Sequence, residues 1–284
     1  MTDIICIDPG HGGYDPGAVY GGVREKDITL HIGLQLRDIL RRAGFGVVMT
    51  RESDASPGGA TNVNADLNER CRIANAARAD VFLSIHVNAG GGHGAEIYVN
   101  GDGGPIAALA KGIIGDVSLV CGVHGQAVRD GGKNGAGWRV IAGTNMDAML
   151  LEVGFIDTDD LRKIQARIDD FAPMIARQFC AFYGVPFPTA TPAHAPTCDK
   201  QAAEDVIALY GQLAKRATPA MVVAANFAAN AVRRAAGIPI TTDLGKPTVE
   251  AADRMEAFTQ AVWWTASPDS QECHHIAADA LRAL

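Results

Sequence analysis

The chain has 284 residues, 48% hydrophobic and 20% charged, which is enough apolar material for a full core and excludes long disorder. Its length sets a prior of about two domains. Lys and Arg number 25 against 32 Asp and Glu, a net charge of −7; with no basic run, nucleic acid is excluded as an expected partner.

Met1-Thr2-Asp3 leads straight into Ile4-Ile5-Cys6-Ile7, with no basic region and no cleavage site. The expectation is synthesis in the cytoplasm without a signal peptide. No apolar stretch approaches the roughly 18 residues of a membrane span, so no integral membrane segment is expected. The six cysteines are scattered, with no Cys-x-x-Cys pair, and read as free, buried thiols.

Strand and helix signals alternate over residues 1–184. Ile4 to Ile7 is a short apolar run ending in the turn Asp8-Pro9-Gly10. Ile28, Ile32, Leu36, Ile39, Leu40 and Ala43 recur at helical spacing, with Asp27 as the expected N-cap and Gly44 as the stop. Phe45 to Thr50 reads as a strand and Asp66 to Ala79 as a helix. Val81 to Ile85 is a buried strand ending at His86, and Ala95 to Val99 another. Ile106 to Val120 is helical, Met149 to Val153 a buried strand, and Ala166 to Tyr183 a helix closed by Gly184. This order predicts an α/β fold: a mostly parallel sheet with helices on both faces. Ligands on such sheets bind beyond the carboxyl ends of the strands, where Asp8, His86 and Glu152 stand.

Val185 to Cys198 holds four prolines and reads as a Pro-rich linker, 185–198. Residues 199–284 turn Ala-rich. Helical spacing runs over 200–216, from Thr218-Pro219 to Ala236, and through Ala251, Met255, Phe258 and Val262; Ser267-Pro268 opens a fourth helix. A small all-helical C-terminal domain is expected. Trp263, Trp264, Phe258, Phe227 and Tyr210 are read as its core, with a sugar- or partner-facing patch as the alternative.

Four residues carry candidate chemistry. His11 stands among glycines in Asp8-Pro9-Gly10-His11-Gly12-Gly13, Glu25 precedes the first helix, His86 ends an apolar strand, and Glu152 follows Met149-Leu150-Leu151. Each has a bland reading: a structural imidazole, or a carboxylate facing a helix dipole. Glu152 is the least bland, because a carboxylate buried there without a partner is costly. Two imidazoles and a carboxylate make a three-ligand zinc site with one open position, and a second carboxylate can then move the proton of an attacking water. The ligands are dispersed, so no local spacing selects them.

The run IICIDPGHGGYDPGA (4–18) resembles the opening motif of the zinc-dependent N-acetylmuramoyl-L-alanine amidases of the amidase-3 family. The resemblance continues in order with GGVREKDITLHIGLQLRDIL at 21–40, VVMTR at 47–51, LNERCRIANAARADVFLSIHVNA at 67–89, GAEIYV at 94–99 and AMLLEVGFI at 148–156. It implies that residues 1–184 form a catalytic domain in which His11, Glu25 and His86 bind Zn2+ and Glu152 is the catalytic carboxylate. It further implies peptidoglycan as substrate, cleaved between N-acetylmuramic acid and the L-alanine of the stem peptide. Asn88, Arg70 and Glu96 are carried over as substrate-binding residues, although an outward position on its strand is the better fit for Glu96. Arg51 and Arg70 equally fit buried ion pairs. His31, His93 and His124 read as bystanders, and no companion ligands flank His274-His275.

Some exported relatives carry a helical plug between the strand at 95–99 and the last strand. Residues 100–147 leave no room for one beside a core helix, so the site is expected to be open. Without an export signal, the enzyme is expected to reach the wall after membrane permeabilisation or by non-classical release, as an endolysin or autolysin. The C-terminal domain then targets the wall or forms a homodimer. The alternatives are a zinc peptidase acting within the stem peptide, or a non-catalytic wall-binding protein.

Overall fold

The computed structural model describes residues 3–100, 104–132, 138–188, 199–215, 217–240, 242–263, 270, 273–274, 276–277 and 280–281. The chain divides into two compact units, Met1–Thr189 and Ala190–Leu284.

The first unit runs β1 (Ile4–Pro9), a hairpin of β2 (Val19–Tyr20) and β3 (Val23–Arg24), α1 (Glu25–Ala43) and β4 (Gly46–Met49). It continues with α2 (Val63–Ala76), β5 (Val81–Asn88), β6 (Ala95–Val99), α3 (Pro105–Cys121), β7 (Val123–Asp130) and α4 (Arg139–Ala142). It ends with β8 (Asp147–Phe155), α5 (Asp160–Ala166) and α6 (Ile168–Tyr183). Six strands form one sheet in the order β4-β1-β5-β8-β6-β7. The β4-β1, β1-β5 and β5-β8 pairs are parallel, β8-β6 is antiparallel and β6-β7 parallel. This is the α/β, mostly parallel architecture expected from the alternation of signals.

Helix α1 buries the stripe Ile28, Ile32, Leu36, Ile39 and Leu40, each such side chain contributing roughly 1.5–3 kcal/mol. Gly44 ends it in the left-handed conformation, its N–H bonding to the carbonyls of Arg41 and Leu40. The helix opens earlier than expected: Arg24 is its N-cap, and Asp27 lies inside the first turn, paired with Arg24. Helix α2 likewise starts earlier, because Asn62 caps it by accepting the N–H of Ala65. The helix expected over 166–183 is preceded by a separate α5, the two parting at Arg167 with φ −130°.

Strand β7 went unread because its sequence, VHGQAVRD, has no apolar run or alternation; it is a half-exposed edge strand. With α3 and the four-residue α4 it makes up the described secondary structure between the strand at 95–99 and β8, the stretch in which no plug was expected. Residues 101–103 and 133–137 of this stretch lie outside the described residues.

Strand register explains where the chemistry falls. On the face covered by α2 and α4, one rung is Cys6, Phe82 and Ala148, all in one apolar cluster with Cys71, Ala74, Val140 and Ile141. The next rung of that face is Asp8, Ser84, Leu150 and Tyr98. The one above is His86, Glu152 and Glu96. The rungs thus grade from apolar to ionisable toward the carboxyl end of the sheet.

Between apolar core and ionisable rung lies a buried ion pair. Arg70 Nη1 donates to Asp8 Oδ1 at 2.7 Å, and Arg70 Nε to Asp66 Oδ1 at 2.5 Å. Asp8 also accepts from Thr50 Oγ1 (2.6 Å) and Ser84 Oγ (2.7 Å). Burial raises the Asp8 pKa, but Arg70 and these hydrogen bonds outweigh it and hold the carboxyl below its usual range.

The second unit contains α7 (Lys200–Ala214), α8 (Pro219–Ala235) and α9 (Val249–Trp263). Asp199 caps α7 by accepting the N–H groups of Gln201 and Ala202. Its core joins Ala203, Val206, Tyr210, Ala224, Ala228 and Met255, with Phe227 and Phe258 packed against it. The side chain of Trp263, all of Trp264 and the opening of the fourth helix at Ser267-Pro268 lie outside the described residues, as does most of the linker. His274 is buried with its Nδ1 2.8 Å from the Tyr210 hydroxyl, and burial lowers its pKa to about 4, so it is a neutral core histidine.

Replacing Asp8 leaves buried Arg70 with Asp66 as its remaining carboxylate partner, so Asp8→Asn is expected to destabilise the first unit by roughly 1.5–3 kcal/mol, the loss of a hydrogen bond to a charged group, in urea unfolding at pH 7. A carboxylate with a lowered pKa stabilises above its unfolded value and loses that contribution as pH falls. The gap between variant and parent should therefore narrow below about pH 4; a gap independent of pH would contradict the ion-pair assignment.

Candidate metal centre and catalytic carboxylate

His11 leaves the end of β1 in a left-handed backbone conformation, φ 62°, which is rare outside glycine. Two buried arginines hold it there. Arg70 donates to the carbonyls of Pro9 (2.8 Å) and His11 (2.6 Å), and Arg51 to those of Pro9 (2.9 Å) and Gly10 (2.9 Å). Arg51 also donates to Lys26 O and Ser53 O. It faces carbonyls, not carboxylates; burial and the neighbouring Arg70 lower its pKa to about 10. The expectation that Arg70 binds substrate is corrected here. Its side chain is 2% exposed, and its donors go to Asp8, Asp66 and two carbonyls.

The loop brings His11 to Glu25 at the start of α1, with His11 Nε2 3.1 Å from Glu25 Oε2. His86 Nδ1 lies 3.0 Å from Glu25 Oε1. One ligand atom from each of the three residues falls within 4.8 Å of the others. Glu25 is fixed by two backbone donors: Ala18 N to Oε2 and Val87 N to Oε1, each 2.9 Å. The second ring nitrogen of His11, Nδ1, faces Asp15 Oδ2 at 2.8 Å, the outer carboxylate that orients a metal-binding imidazole. Gly10 and Gly17 make the approach possible. A Cβ on Gly10 would stand 2.3 Å from the His86 ring, and one on Gly17 2.6 Å from Glu25 Oε2.

The electrostatics of the cluster are dominated by its three acidic side chains. Burial raises the Glu25 pKa, but its contacts with His11 and His86 hold it far below the usual range. Burial lowers the His11 pKa, and Glu25 and Asp15 outweigh it and raise it above 6.5. Glu152 is 5% exposed, its Oε2 has no hydrogen-bond partner, and burial with the charges of Glu25 and Glu96 drives its pKa well up. An orphaned buried carboxylate oxygen beside two imidazoles and a fixed carboxylate fits a divalent cation, and this donor set suits zinc.

Glu96 is buried and sits directly opposite Glu152 in the β6-β8 register. The reading of Glu96 as an outward residue therefore fails. Its Oε1 accepts from Asn88 Nδ2 at 2.9 Å, a bond that spans β8. Its Oε2 stands 3.0 Å from Arg129 Nε, an ion pair rather than an aligned hydrogen bond. Arg129 escaped sequence reasoning because it lies on the unread strand β7. His31 pairs with Asp169 at 2.8 Å and His124 with the carbonyl of His93 at 2.9 Å, both away from the three ligands.

The sequence and the fold both find counterparts. A sporulation-specific N-acetylmuramoyl-L-alanine amidase of Bacillus subtilis (strain 168) is 40% identical over 177 residues, 61% of this chain and 64% of the relative. An endolysin of Bacillus phage SPP1 is 36% identical over 164 residues, 56% of this chain and 57% of the relative. The chain thus spans less than two thirds of the length of these relatives. Among solved structures, the CwlD amidase from Clostridioides difficile, in complex with the GerS lipoprotein, superposes with a TM-score of 0.56 at 27% identity. That match covers 64% of this chain and 99% of CwlD. AmiC2 of Nostoc punctiforme gives 0.53 at 28% identity, over 64% and 97%. The amidase-3 family model matches residues 5–177, more than half of the chain. The chain belongs to the amidase-3 family of N-acetylmuramoyl-L-alanine amidases.

Proposed function

We propose that residues 1–184 hydrolyse the amide between N-acetylmuramic acid and the L-alanine of the peptidoglycan stem peptide, with zinc held by His11, Glu25 and His86 and with Glu152 as the general base. The observation that carries this reading is the convergence of those three ligands below an unpartnered, buried Glu152. When bound there, zinc supplies Lewis acidity toward a carbonyl oxygen and makes water a nucleophile near neutral pH. Glu152 takes the proton of the attacking water on Oε2 and delivers it to the alanine nitrogen as the C–N bond breaks. The products are a free muramyl carboxylate and a stem peptide with a free amino terminus. Glu25 cannot share this role, since Ala18 and Val87 fix both its oxygens. Asp15 keeps the His11 ring in the orientation that a ligand needs.

Among the described residues no helix is long and apolar enough to cross a membrane. The endolysin and sporulation amidase among the relatives support action on the wall once the membrane is opened. The helical unit then targets the wall or pairs two copies. Sedimentation of the full chain and of a chain ending at residue 184 with purified sacculi separates these roles: loss of co-sedimentation on truncation assigns targeting, and equal binding rejects it.

Glu152→Gln is expected to lower kcat roughly 100- to 10,000-fold while zinc content stays at parent level. Mass spectrometry of digested sacculi reads the reaction. Free N-terminal L-alanine identifies the amidase, and loss of D-alanine alone would replace this reading with a carboxypeptidase. Undiminished release by Glu152→Gln would remove Glu152 from the mechanism.

A chelator should abolish activity and added zinc restore it. The zinc effect on stability should grow with pH. His11, with its raised pKa, must give up a proton to bind metal, and Glu152 gains a counter-charge only as it ionises. Both linkages make the zinc-induced rise in Tm larger at pH 8 than at pH 6, measurable by thermal melts with and without metal. An equal rise at both values would contradict the ligand assignment.

A further inference from the structure

The cations around the metal centre are mostly turned inward. Arg51 and Arg70 are buried on carbonyls and carboxylates. Lys26 is buried against Asp54 and the carbonyl of Gly13, and Arg24 closes its fork on Asp27. Arg129 differs. It lies on the edge strand β7, in register beside Tyr98, and a third of its side chain (33%) is exposed.

Its guanidinium is held from three sides. Nε stands 3.0 Å from Glu96 Oε2 and donates to Gln126 O at 3.2 Å, and the central carbon lies 5.9 Å from the Tyr98 ring centroid. Gly125 leaves room for Nη2, since a Cβ there would stand 2.6 Å from it. The Glu96 and Gln126 contacts both use Nε, and the Tyr98 hydroxyl is hydrogen-bonded with Arg129 and Glu96, which leaves part of the five N–H donors free. With a third of the side chain exposed, donors of the Nη groups are left for a ligand, and a guanidinium can take a carboxylate in two parallel hydrogen bonds.

Register sets its distance from the chemistry. Glu96 faces Glu152 across β8-β6, and β7 is the next strand out. Arg129 is level with Tyr98 and Leu150, two residues along from Glu152; at about 4.8 Å per strand and about 3.3 Å per residue its backbone lies roughly 12 Å from that of Glu152, and its side chain returns toward Glu96. In a stem peptide cut at the alanine nitrogen, the next residue is a glutamate joined through its side-chain carboxyl. Its α-carboxyl carbon is six bonds from the scissile carbonyl, a reach of roughly 7 Å in extended chain. Some walls keep that α-carboxyl as an acid and others convert it to a carboxamide.

Resting on the amidase reading above, we propose that Arg129 binds the free α-carboxylate of the second stem residue and makes the enzyme selective for stem peptides that carry it as an acid. Glu96, Gln126 and Tyr98 serve as its support, and Glu96 ties this specificity point to the rung that holds Glu152. Discrimination arises in binding, because the carboxylate is remote from the bond that breaks.

The test uses the full zinc-loaded chain and two muramyl peptides that differ only in an acid or a carboxamide at that α-carbon. For the parent, kcat/KM is expected to be roughly tenfold higher on the acid, carried by KM. In Arg129→Gln the acid-to-amide ratio should fall to near one, and Arg129→Lys should recover part of it by charge alone. Equal rates of the parent on both substrates overturn the proposal while leaving the amidase reading intact. So does an Arg129→Gln variant that slows both substrates equally and keeps the ratio, since that is the signature of a residue that only supports Glu96. Absence of free N-terminal alanine from either substrate would instead reject the amidase reading itself.

Discussion

The first unit depends on one buried ion pair, Asp8 with Arg70. Asp8 closes β1 and collects Arg70, Thr50 and Ser84 from three other elements. The charge so fixed on Arg70 then grips the carbonyls of Pro9 and His11. Arg51 grips Pro9 and Gly10 from the other side. A loop containing a left-handed histidine is strained by itself, and four charge-assisted hydrogen bonds to its carbonyls supply the restraint. The position of His11 is thus set by the core, through Arg70 and Arg51.

Legibility in the sequence followed burial. Strands β1, β5 and β8 are continuous apolar runs, so their existence and parallel order could be read directly, and so could the ionisable residues at their ends. Helix α1 was legible from its stripe, although its start was not, because Asp27 has a better partner in Arg24 than in a backbone cap. Strand β7 was illegible: an exposed edge strand has no face that must be apolar, so VHGQAVRD leaves no periodic trace. Losing β7 also lost Arg129. Glu96 was misplaced for a related reason. An alternating strand puts a polar residue outward only when one face is solvated, and here both faces are covered, with α3 on one side and the α2–α4 layer and the cleft on the other.

The reversal of β6 has a chemical consequence. In a fully parallel sheet every strand brings its carboxyl end to the ligand edge. Because β6 runs antiparallel to β8, its amino end lies there instead, and Glu96, its second residue, meets Glu152. The unit thereby gains a third carboxylate at the site without another long strand. The bond from Asn88 to Glu96 crosses β8 and ties both flanks of Glu152 together.

Three buried carboxylates therefore stand together, and their hydrogen bonds assign them different work, as environment does wherever neighbouring acids divide roles. Glu25 has both oxygens fixed by backbone N–H groups and both facing imidazoles, so it is a rigid anion suited to a metal. Glu96 has one oxygen on Asn88 and the other beside Arg129, so its charge is matched within the protein. Glu152 alone of the three has an oxygen with neither a hydrogen bond nor an ion pair, with burial and two neighbouring anions favouring its protonated form. A group that resists ionisation is a poor ligand and a good proton acceptor once a cation lowers the cost of its charge. The arrangement that burdens Glu152 with two neighbouring anions is thus the one that suits it to the base role proposed for it.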